Sequence, residues 1–148
     1  VIYYSASGAP AQEGYEQVDF ETLLTQSDII SVHAPLNEHT EGLINGKAFE
    51  KMKSSCIFLN LGRGPIVDEQ ALYDALVRNQ IAAAGLDVLC EEPMSASNPL
   101  LKIKDSKRLL ITPHIAWAST AARERLMQIM LENIKAYQDG KPVNVVNK

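Results

Sequence analysis

The sequence predicts an α/β protein built on a doubly wound, parallel sheet. Apolar and β-branched runs of strand length alternate with segments of helical periodicity, at intervals of roughly 20–25 residues. In addition, Arg63, Glu92 and His114 each lie just past the end of such a run. The carboxyl ends of parallel strands form one edge of a sheet, and open α/β sheets bind their ligands there. The same placement therefore predicts both the fold and the position of a functional site.

The strands are predicted from apolar runs that are separated by segments rich in glycine, proline and polar residues. Small residues in the fourth run, including Gly85, let a neighbouring segment pack closely. Residues 5–18 are predicted to form a loop, and residues 91–107 an irregular segment long enough to be functional. The predicted strands are residues 1–4, 28–33, 55–60, 81–88 and 108–112, with a short strand-like tail at residues 143–146.

Helices are predicted where a capping side chain precedes an apolar repeat. Asp19, Asn45, Asp68 and Ser119 each carry an oxygen that can accept a hydrogen bond from a free N–H group of the first turn. Gly140 and Pro142 stop the last helix. The predicted helices are residues 20–26, a segment from Asn45 to about residue 52, the segment after Asp68 with Leu72, Ala75 and Leu76 at helical spacing, and residues 119–138, with Leu126, Ile129, Met130, Ile134 and Tyr137 on one side.

Length and composition narrow the class of protein. The 148 residues, 46% of them hydrophobic, are enough for one domain with a core. A net charge of −4 without a basic cluster predicts no nucleic-acid or membrane-surface partner, and no apolar run reaches the roughly 18–20 residues of a membrane span. Cys56 and Cys90 are too few for a disulfide framework and lack the clustered ligands of a metal site. They favour reduced thiols in a cytoplasmic protein.

Arg63 is the first candidate functional residue. It lies between Gly62 and Gly64, and glycines free the backbone to turn sharply and to approach a ligand closely. The planar guanidinium suits a bidentate grip on a carboxylate. The alternative is a surface arginine in a glycine loop that pairs with a nearby acid.

Two further candidates follow the next two strands. Glu92 precedes Pro93, and its alternative role is that of an ordinary solvated loop residue; Asp87, at a strand end, can cap a helix or bind a cofactor amide. His114 lies between a strand and a helix start, which suits acid–base chemistry, although a histidine satisfied by backbone groups fits the same position. Trp117 is interpreted as a core residue in preference to a pocket wall.

Taken together and in this order, four segments resemble the D-isomer-specific 2-hydroxyacid dehydrogenases, over essentially the whole chain. The resemblance implies a Rossmann-type sheet. Within the family the chain most resembles glycerate dehydrogenases, also called hydroxypyruvate reductases, through residues 1–5 and 115–119. The four segments are residues 31–36 with Thr40, residues 60–68, residues 85–88 with Glu92 and Pro93, and residues 112–115.

The resemblance implies a role for each residue at the predicted edge. Arg63 would bind the substrate carboxylate and orient the 2-oxo group. His114 would protonate the carbonyl oxygen as hydride arrives from the nicotinamide, and Glu92 would hydrogen-bond the far nitrogen of His114 and favour its protonated form. Asp87 would fix the nicotinamide carboxamide. The residues implied in cofactor binding are Ser5, His33, Ala34, Pro35, Thr40, Leu61, Gly62, Arg63, Asp87, His114 and Ala116.

The expected cofactor is NAD, and NADP stays open. Many NAD-using members carry an acid at the end of the strand that corresponds to residues 1–4, where it binds the ribose hydroxyls. Residues 5–7 read Ser-Ala-Ser and provide neither that acid nor an arginine for a 2′-phosphate. The expected substrate is a small 2-oxo or 2-hydroxy acid.

The chain departs from the family by lacking a Gly-x-Gly-x-x-Gly phosphate loop, the strand before it and the substrate domain. Residues 1–138 are therefore expected to form a partial dinucleotide-binding domain, and residues 139–148 a tail that returns toward the substrate domain. In the strand order 3-2-1-4-5-6 the first strand is central, so the strands 1–4 and 55–60 are expected to have unpaired inner edges. The missing strand would come from a roughly twice-longer polypeptide or from another chain.

The resulting functional hypothesis is an NAD(H)-dependent oxidoreductase that interconverts hydroxypyruvate or glyoxylate with glycerate or glycolate, as a cytoplasmic homodimer that requires the N-terminal half of the protein. Two alternatives share the scaffold. One is a dinucleotide-sensing binding protein similar to the corepressors related to this family, and the other is an inactive fragment.

Overall fold

The computed structural model describes residues 1–146, in which the chain forms two compact units. The first unit is Val1–Pro113, and the second begins at His114. None of the helices in the described part of the chain combines the length and the apolar character that a membrane span requires.

The first unit contains two parallel sheets, as the alternating sequence pattern predicts. In the larger sheet the strand order is β3-β4-β5-β6, and every neighbouring pair is parallel. In the smaller sheet β1 pairs with β2, also in parallel. The strands are β1 Ile2–Tyr3, β2 Glu16–Gln17, β3 Ile29–Val32, β4 Ile57–Asn60, β5 Ala83–Leu86 and β6 Leu109–Ile111.

The structure corrects two predictions about these strands. Residues 5–18 are not entirely loop, because β2 lies within them; its two residues are polar and exposed and so give no apolar signal. The missed strand also shifted the expected strand order by one. β4 pairs on both sides, with β3 and β5, so the predicted open edge on strand 55–60 is wrong. Among residues 1–146, β1 pairs only with β2 and β3 only with β4, which places the open edges on β1 and β3.

Three helices of the first unit begin at the predicted caps. They are α1 Phe20–Gln26, α2 Gly46–Lys51 and α3 Glu69–Val77. Asp19 Oδ1 accepts from the Thr22 backbone N–H at 2.7 Å, and this hydrogen bond lowers the pKa of the Asp19 carboxyl. Asn45 Oδ1 accepts from Lys47 N at 3.0 Å, and Asp68 Oδ1 accepts from Gln70 N at 3.0 Å.

The core of the first unit lies between its helices and the larger sheet. Leu72 and Leu76 of α3 are buried, as their helical spacing predicts. The rings of Phe49 in α2 and Phe58 in β4 meet edge to face at 5.5 Å. Each such fully buried apolar side chain contributes about 1.5–3 kcal/mol to stability. Gly85 is paired with Leu59 of β4, and a Cβ there would lie 2.9 Å from Leu59 Cδ2, so the neighbouring strand packs closely at this residue, as predicted.

The second unit is dominated by one long helix, α4 Thr120–Gln138, which begins at the predicted cap Ser119. No residue of α4 is buried. The predicted tail strand at residues 143–146 is wrong, because Asn144 has φ +56° and interrupts the extended backbone. Asn147 and Lys148, at the end of the predicted tail 139–148, lie outside the described residues, and the functional division at residue 138 stays a prediction.

Candidate active site

The predicted site residues of the first unit follow the carboxyl ends of neighbouring strands. His33, Ala34 and Pro35 follow β3; Leu61, Gly62 and Arg63 follow β4; and Asp87 follows β5. The parallel register pairs Val32 with Asn60 and Asn60 with Leu86, so these segments leave the sheet at one edge. That shared edge is what the sequence predicts.

Asn60 shapes the turn that carries Arg63. Its side chain is 1% exposed, and its Nδ2 donates to the Arg63 carbonyl oxygen at 3.0 Å while its Oδ1 accepts from Gly62 N at 3.1 Å. The Arg63 guanidinium donates to the Gly62 carbonyl oxygen at 2.8 Å, and the side chain is exposed. The buried Asn60 amide thus fixes the backbone of the turn, and the Arg63 guanidinium lies exposed at the surface.

The two glycines beside Arg63 are required for close approach between protein segments and not for a left-handed turn. Neither has a positive φ. A Cβ on Gly62 would lie 3.0 Å from the Ala34 carbonyl oxygen, and a Cβ on Gly64 would lie 2.0 Å from the Leu89 carbonyl oxygen. The Arg63 turn is therefore packed between the segments that follow β3 and β5.

Asp87 is held at the end of β5 and is 3% exposed. The Thr112 hydroxyl donates to Asp87 Oδ1, and the Asp87 backbone N–H donates to the Asn60 carbonyl oxygen at 3.0 Å. A carboxylate fixed in this way can accept a hydrogen bond from a ligand amide at the sheet edge.

Glu92 lies in the irregular segment that the sequence predicts after β5. Its Oε1 accepts from the Leu89 backbone N–H at 2.9 Å, and the Glu92–Pro93 peptide bond is cis. The segment is less irregular than predicted, because Pro99–Lys102 forms a 3-10 helix capped by the Asn98 side chain.

His114 is the first residue of the second unit, so its geometry is described with that unit. Its φ is +54°, a left-handed value that few non-glycine residues adopt and that is found often at functional sites. The Trp117 indole Nε1 donates to the His114 carbonyl oxygen at 2.8 Å. Trp117 is 58% exposed, so the prediction that it belongs to the core is wrong. Ala116 lies in the 3-10 helix Ala116–Ala118.

A cavity of about 400 Å³ lies between β1 and the turn after β3. Ser5 and Ser7 line one side, and His33, Ala34 and Pro35 line the other. A second depression, of about 470 Å³, shares these three residues and extends to Leu61, Gly62 and Arg63. Two adjoining depressions of this size fit the two halves of a dinucleotide, and the serine hydroxyls can bind sugar hydroxyls.

Thr40 shapes the wall of the cavity of about 400 Å³. It is 1% exposed, and its hydroxyl donates to the Pro35 carbonyl oxygen at 2.7 Å and accepts from the Asn37 backbone N–H at 2.9 Å. His33 is exposed, with its Nε2 2.8 Å from the Ser31 hydroxyl oxygen. The hydroxyl of Thr40 is thus used within the turn, and its influence on a ligand is exerted through the position of Pro35.

The sequence pattern assigns no positioning role to four residues that contact predicted site residues or the loop that contains one. Asn60 holds the backbone of Arg63, Thr112 holds the side chain of Asp87, and Trp117 holds the backbone of His114. Glu69 accepts from the backbone of Cys90, in the loop that contains Glu92. Asn60 ends β4 and Thr112 directly follows β6, and a polar residue at the end of a strand is a signal that could have identified both. Glu69 carries none, because its partners lie in a distant loop.

The chain is similar to one protein family over most of its length. The family model described as the D-isomer specific 2-hydroxyacid dehydrogenase NAD binding domain matches residues 1–116. A hydroxypyruvate reductase of Blautia hydrogenotrophica is 47% identical over 150 residues, covering 100% of this chain and 46% of that protein. A glycerate dehydrogenase of Methylorubrum extorquens is 45% identical, covering 87% of this chain and 41% of that protein.

Solved structures agree with these similarities. An acyclic imino acid reductase in complex with NADPH and D-Arg matches with a TM-score of 0.87 and 39% identity, covering 99% of this chain and 46% of that one. A D-isomer specific 2-hydroxyacid dehydrogenase from Lactobacillus delbrueckii, complexed with NAD, matches with a TM-score of 0.82 and 31% identity, covering 99% and 48%. The chain thus spans less than half the length of each of these relatives.

Proposed function

Since the chain belongs to the D-isomer specific 2-hydroxyacid dehydrogenases, as their NAD-binding domain, we propose that the full-length protein uses NAD(H) to interconvert a small 2-oxo acid and its 2-hydroxy acid. The proposed pairs are hydroxypyruvate with D-glycerate and glyoxylate with glycolate. The observation that carries the proposal is the position of Arg63, whose exposed guanidinium lies at the depression shared with the His33–Pro35 turn. An anion-binding side chain at the mouth of a dinucleotide cleft fits an acid as the substrate.

Arg63 is the proposed substrate anchor. Its guanidinium offers parallel N–H groups that match the two oxygens of a carboxylate. The buried Asn60 amide fixes the backbone from which the side chain extends, so little ordering is needed when the acid binds. The 2-oxo group would then be held in one orientation toward the nicotinamide.

His114 is the proposed proton donor in the direction of reduction. The bound cofactor supplies a hydride to the carbonyl carbon. An imidazolium can deliver the proton that the carbonyl oxygen then requires, and its ordinary pKa lies close to neutral pH. Glu92 is the proposed partner of His114, because a neighbouring carboxylate stabilises the charged imidazolium.

NAD is the proposed cofactor, with NADP as the alternative that a comparison of turnover with NADH and NADPH decides. Asp87 is the proposed partner of the nicotinamide carboxamide, since its carboxylate is fixed at the end of β5. Ser5 is proposed to bind the adenosine ribose; its hydroxyl accepts from Ala9 N at 3.1 Å and lies 3.3 Å from the Ser7 hydroxyl, so one of the two hydroxyls can donate to the other and the second can donate to a ligand. The remaining predicted contacts, from His33, Ala34, Pro35, Thr40, Leu61, Gly62 and Ala116, are proposed to shape the cleft mainly through backbone.

The rest of the protein is proposed to complete the sheet between β1 and β3. Each of these strands has an edge that pairs with no strand of residues 1–146, and unpaired edges of this kind accept an added strand. We also propose a cytoplasmic homodimer, supported by two free cysteines and by the exposed apolar residues of α4. Sedimentation of the full-length protein tests the dimer.

Turnover by the full-length protein tests the proposed function. NADH oxidation is measured with hydroxypyruvate and with glyoxylate, and NADPH is compared at equal concentration. Saturable turnover with NADH supports the dehydrogenase and identifies the preferred acid. Dinucleotide-dependent self-association without turnover would instead support the cofactor-sensing binding protein, and binding of neither dinucleotide would support an inactive chain.

A further inference from the structure

We propose that Glu69, in the first turn of α3, is a positioning residue. It holds the loop of residues 90–98, which contains Glu92, against the turn that carries Arg63. The inference rests on the proposed function, because it assigns Glu69 a part in arranging the residues that would act on the substrate. Glu69 itself lies outside the residues that line the two depressions.

The Glu69 carboxylate joins both ends of the segment that contains Glu92. Its Oε1 accepts from the Cys90 backbone N–H at 2.9 Å, and its Oε2 accepts from Asn98 Nδ2 at 2.7 Å. Asn98 is 8% exposed, and its Oδ1 accepts from Leu100 N at 2.9 Å, where it caps the following 3-10 helix. One half-buried side chain therefore closes the loop from residue 90 to residue 98.

The tie to Cys90 bears directly on Glu92. Glu92 Oε1 accepts from Leu89 N, the amide that precedes Cys90. On its other side, the Leu89–Cys90 peptide packs on Gly64, where a Cβ would lie 2.3 Å from Cys90 N. The same peptide is thus held by Glu69 and backed by the residue next to Arg63. The position of this peptide therefore sets the position of the Glu92 carboxylate relative to Arg63, the proposed substrate anchor.

The contacts require two acceptors at position 69. A carboxylate accepts with both oxygens, whereas a glutamine accepts with one atom and presents an N–H group with the other. In a Glu69→Gln variant that N–H group would face the N–H group of Asn98. Rotating the Asn98 amide would relieve this conflict but would turn its NH₂ group toward Leu100 N. An aspartate at position 98 removes the conflict, since it accepts from both neighbours.

The chain therefore offers a reciprocal test in the full-length protein. We expect Glu69→Gln to lower kcat with hydroxypyruvate about tenfold or more while leaving the KM for NADH within about twofold, because a displaced loop affects orientation. Asn98→Asp should also lower kcat, since two carboxylates would face each other. The double variant E69Q/N98D should regain most of the lost turnover. The matched control is Asp74→Asn, another acid of α3, whose Oδ1 accepts from Gln70 Nε2 within the same helix.

Rescue separates positioning from a general effect on the helix. An acid in the first turn also stabilises α3 through the helix dipole, but Asn98→Asp keeps that acid, so a loss of turnover in this variant does not come from the dipole. If the double variant stays as slow as Glu69→Gln, or if Glu69→Gln keeps normal kcat, the positioning role is overturned.

Amide hydrogen exchange distinguishes failure of this inference from failure of the proposed function. Exchange at Cys90 should accelerate in Glu69→Gln and return toward the parent rate in the double variant, whether or not any oxo acid is reduced. Absence of turnover in the parent protein, together with this exchange pattern, would reject the proposed dehydrogenase activity and keep the positioning role of Glu69. Unchanged exchange at Cys90 in Glu69→Gln would reject that positioning role.

Discussion

Arg63 combines a fixed backbone with an exposed guanidinium, which makes the shape of its head group testable. Arg63→Lys keeps the positive charge but replaces the planar fork with a single ammonium. We expect the KM for the 2-oxo acid to rise about 10- to 100-fold, the range that corresponds to losing one charge-assisted hydrogen bond. NADH binding should stay within about twofold. Steady-state kinetics check this, and an unchanged KM would contradict the role of Arg63 as anchor.

His114 has a left-handed backbone, so its substitutions need a backbone-matched control. His114→Gln should lower kcat by about 10²–10⁴-fold, the usual contribution of a general acid, with the dissociation constant for NADH nearly unchanged. Asparagine tolerates positive φ well, so His114→Asn keeps the turn but removes the imidazole. Both variants should be slow. Normal turnover in His114→Asn would mean that the residue acts through its backbone alone.

Cys90 is exposed yet should react slowly. Burial of the sulfur, followed by the charge of Glu69, raises the pKa of the Cys90 thiol to about 11. The thiolate is the reactive form, so at pH 8 only a small fraction is available to iodoacetamide. The alkylation rate of a Cys56→Ser variant should still be rising at pH 10. A plateau near pH 9 would show that Cys90 titrates as an ordinary cysteine.

At the residue scale, the sequence was informative wherever function and local motif coincide. Arg63 and Asp87 lie at the predicted edge of the sheet because each comes within three residues of the end of a strand. The contacts of Glu69 could not be predicted, since Cys90 and Asn98 are 21 and 29 residues away in the chain. Hydrogen bonds over such separations depend on how the loop folds back, which no local pattern encodes.

At the scale of elements, the end of α3 is held by the side chain of Arg108, the residue before β6. Arg108 donates from Nη2 to the carbonyl oxygens of Leu76 at 2.7 Å and Ile81 at 3.1 Å, from Nη1 to Asn79 Oδ1 at 2.7 Å, and from Nε to the Ala82 carbonyl oxygen at 2.9 Å. Helix ends leave carbonyl groups without intrahelical partners, and a cation there satisfies them.

Arg108→Ala should therefore destabilise the protein by about 3 kcal/mol, because several carbonyl groups lose a charged donor. Arg108→Lys should destabilise the protein less than Arg108→Ala does, since an ammonium reaches some of the four acceptors but not all of them. The neighbouring Lys107, which is exposed, provides the control substitution Lys107→Ala. Urea unfolding midpoints check the order. Equal midpoints for Arg108→Ala and Lys107→Ala would show that the cluster does not stabilise the fold.

Elements were predictable where side chains mark their own boundaries. The caps Asp19, Asn45, Asp68 and Ser119 all precede helices in the structure, because an N-cap is a local hydrogen bond. β2 was missed because two exposed polar residues form a strand only through pairing with β1. That omission displaced the expected open edge from β3 to β4, since strand order is a property of the whole sheet.

At the scale of the whole molecule, the open edges of β1 and β3 predict how residues 1–148 behave alone. Backbone N–H and C=O groups on such edges pair readily with other chains. We expect the isolated chain to associate and the full-length protein, in which the added strand is proposed to cover both edges, to form a defined species. Light scattering measures both. A monomer of 16.3 kDa that melts cooperatively would contradict the prediction.

A charge placed on the open edge tests whether β3 is the surface responsible. Ile29 in β3 is 60% exposed, and lysine on an edge strand opposes pairing by carrying its charge into the new interface. Ile29→Lys should therefore lower the association of the isolated chain. Val77, which is 53% exposed at the end of α3, supports the control Val77→Lys, with the same change of charge away from any strand. If both variants reduce association equally, net charge and not the β3 edge governs it.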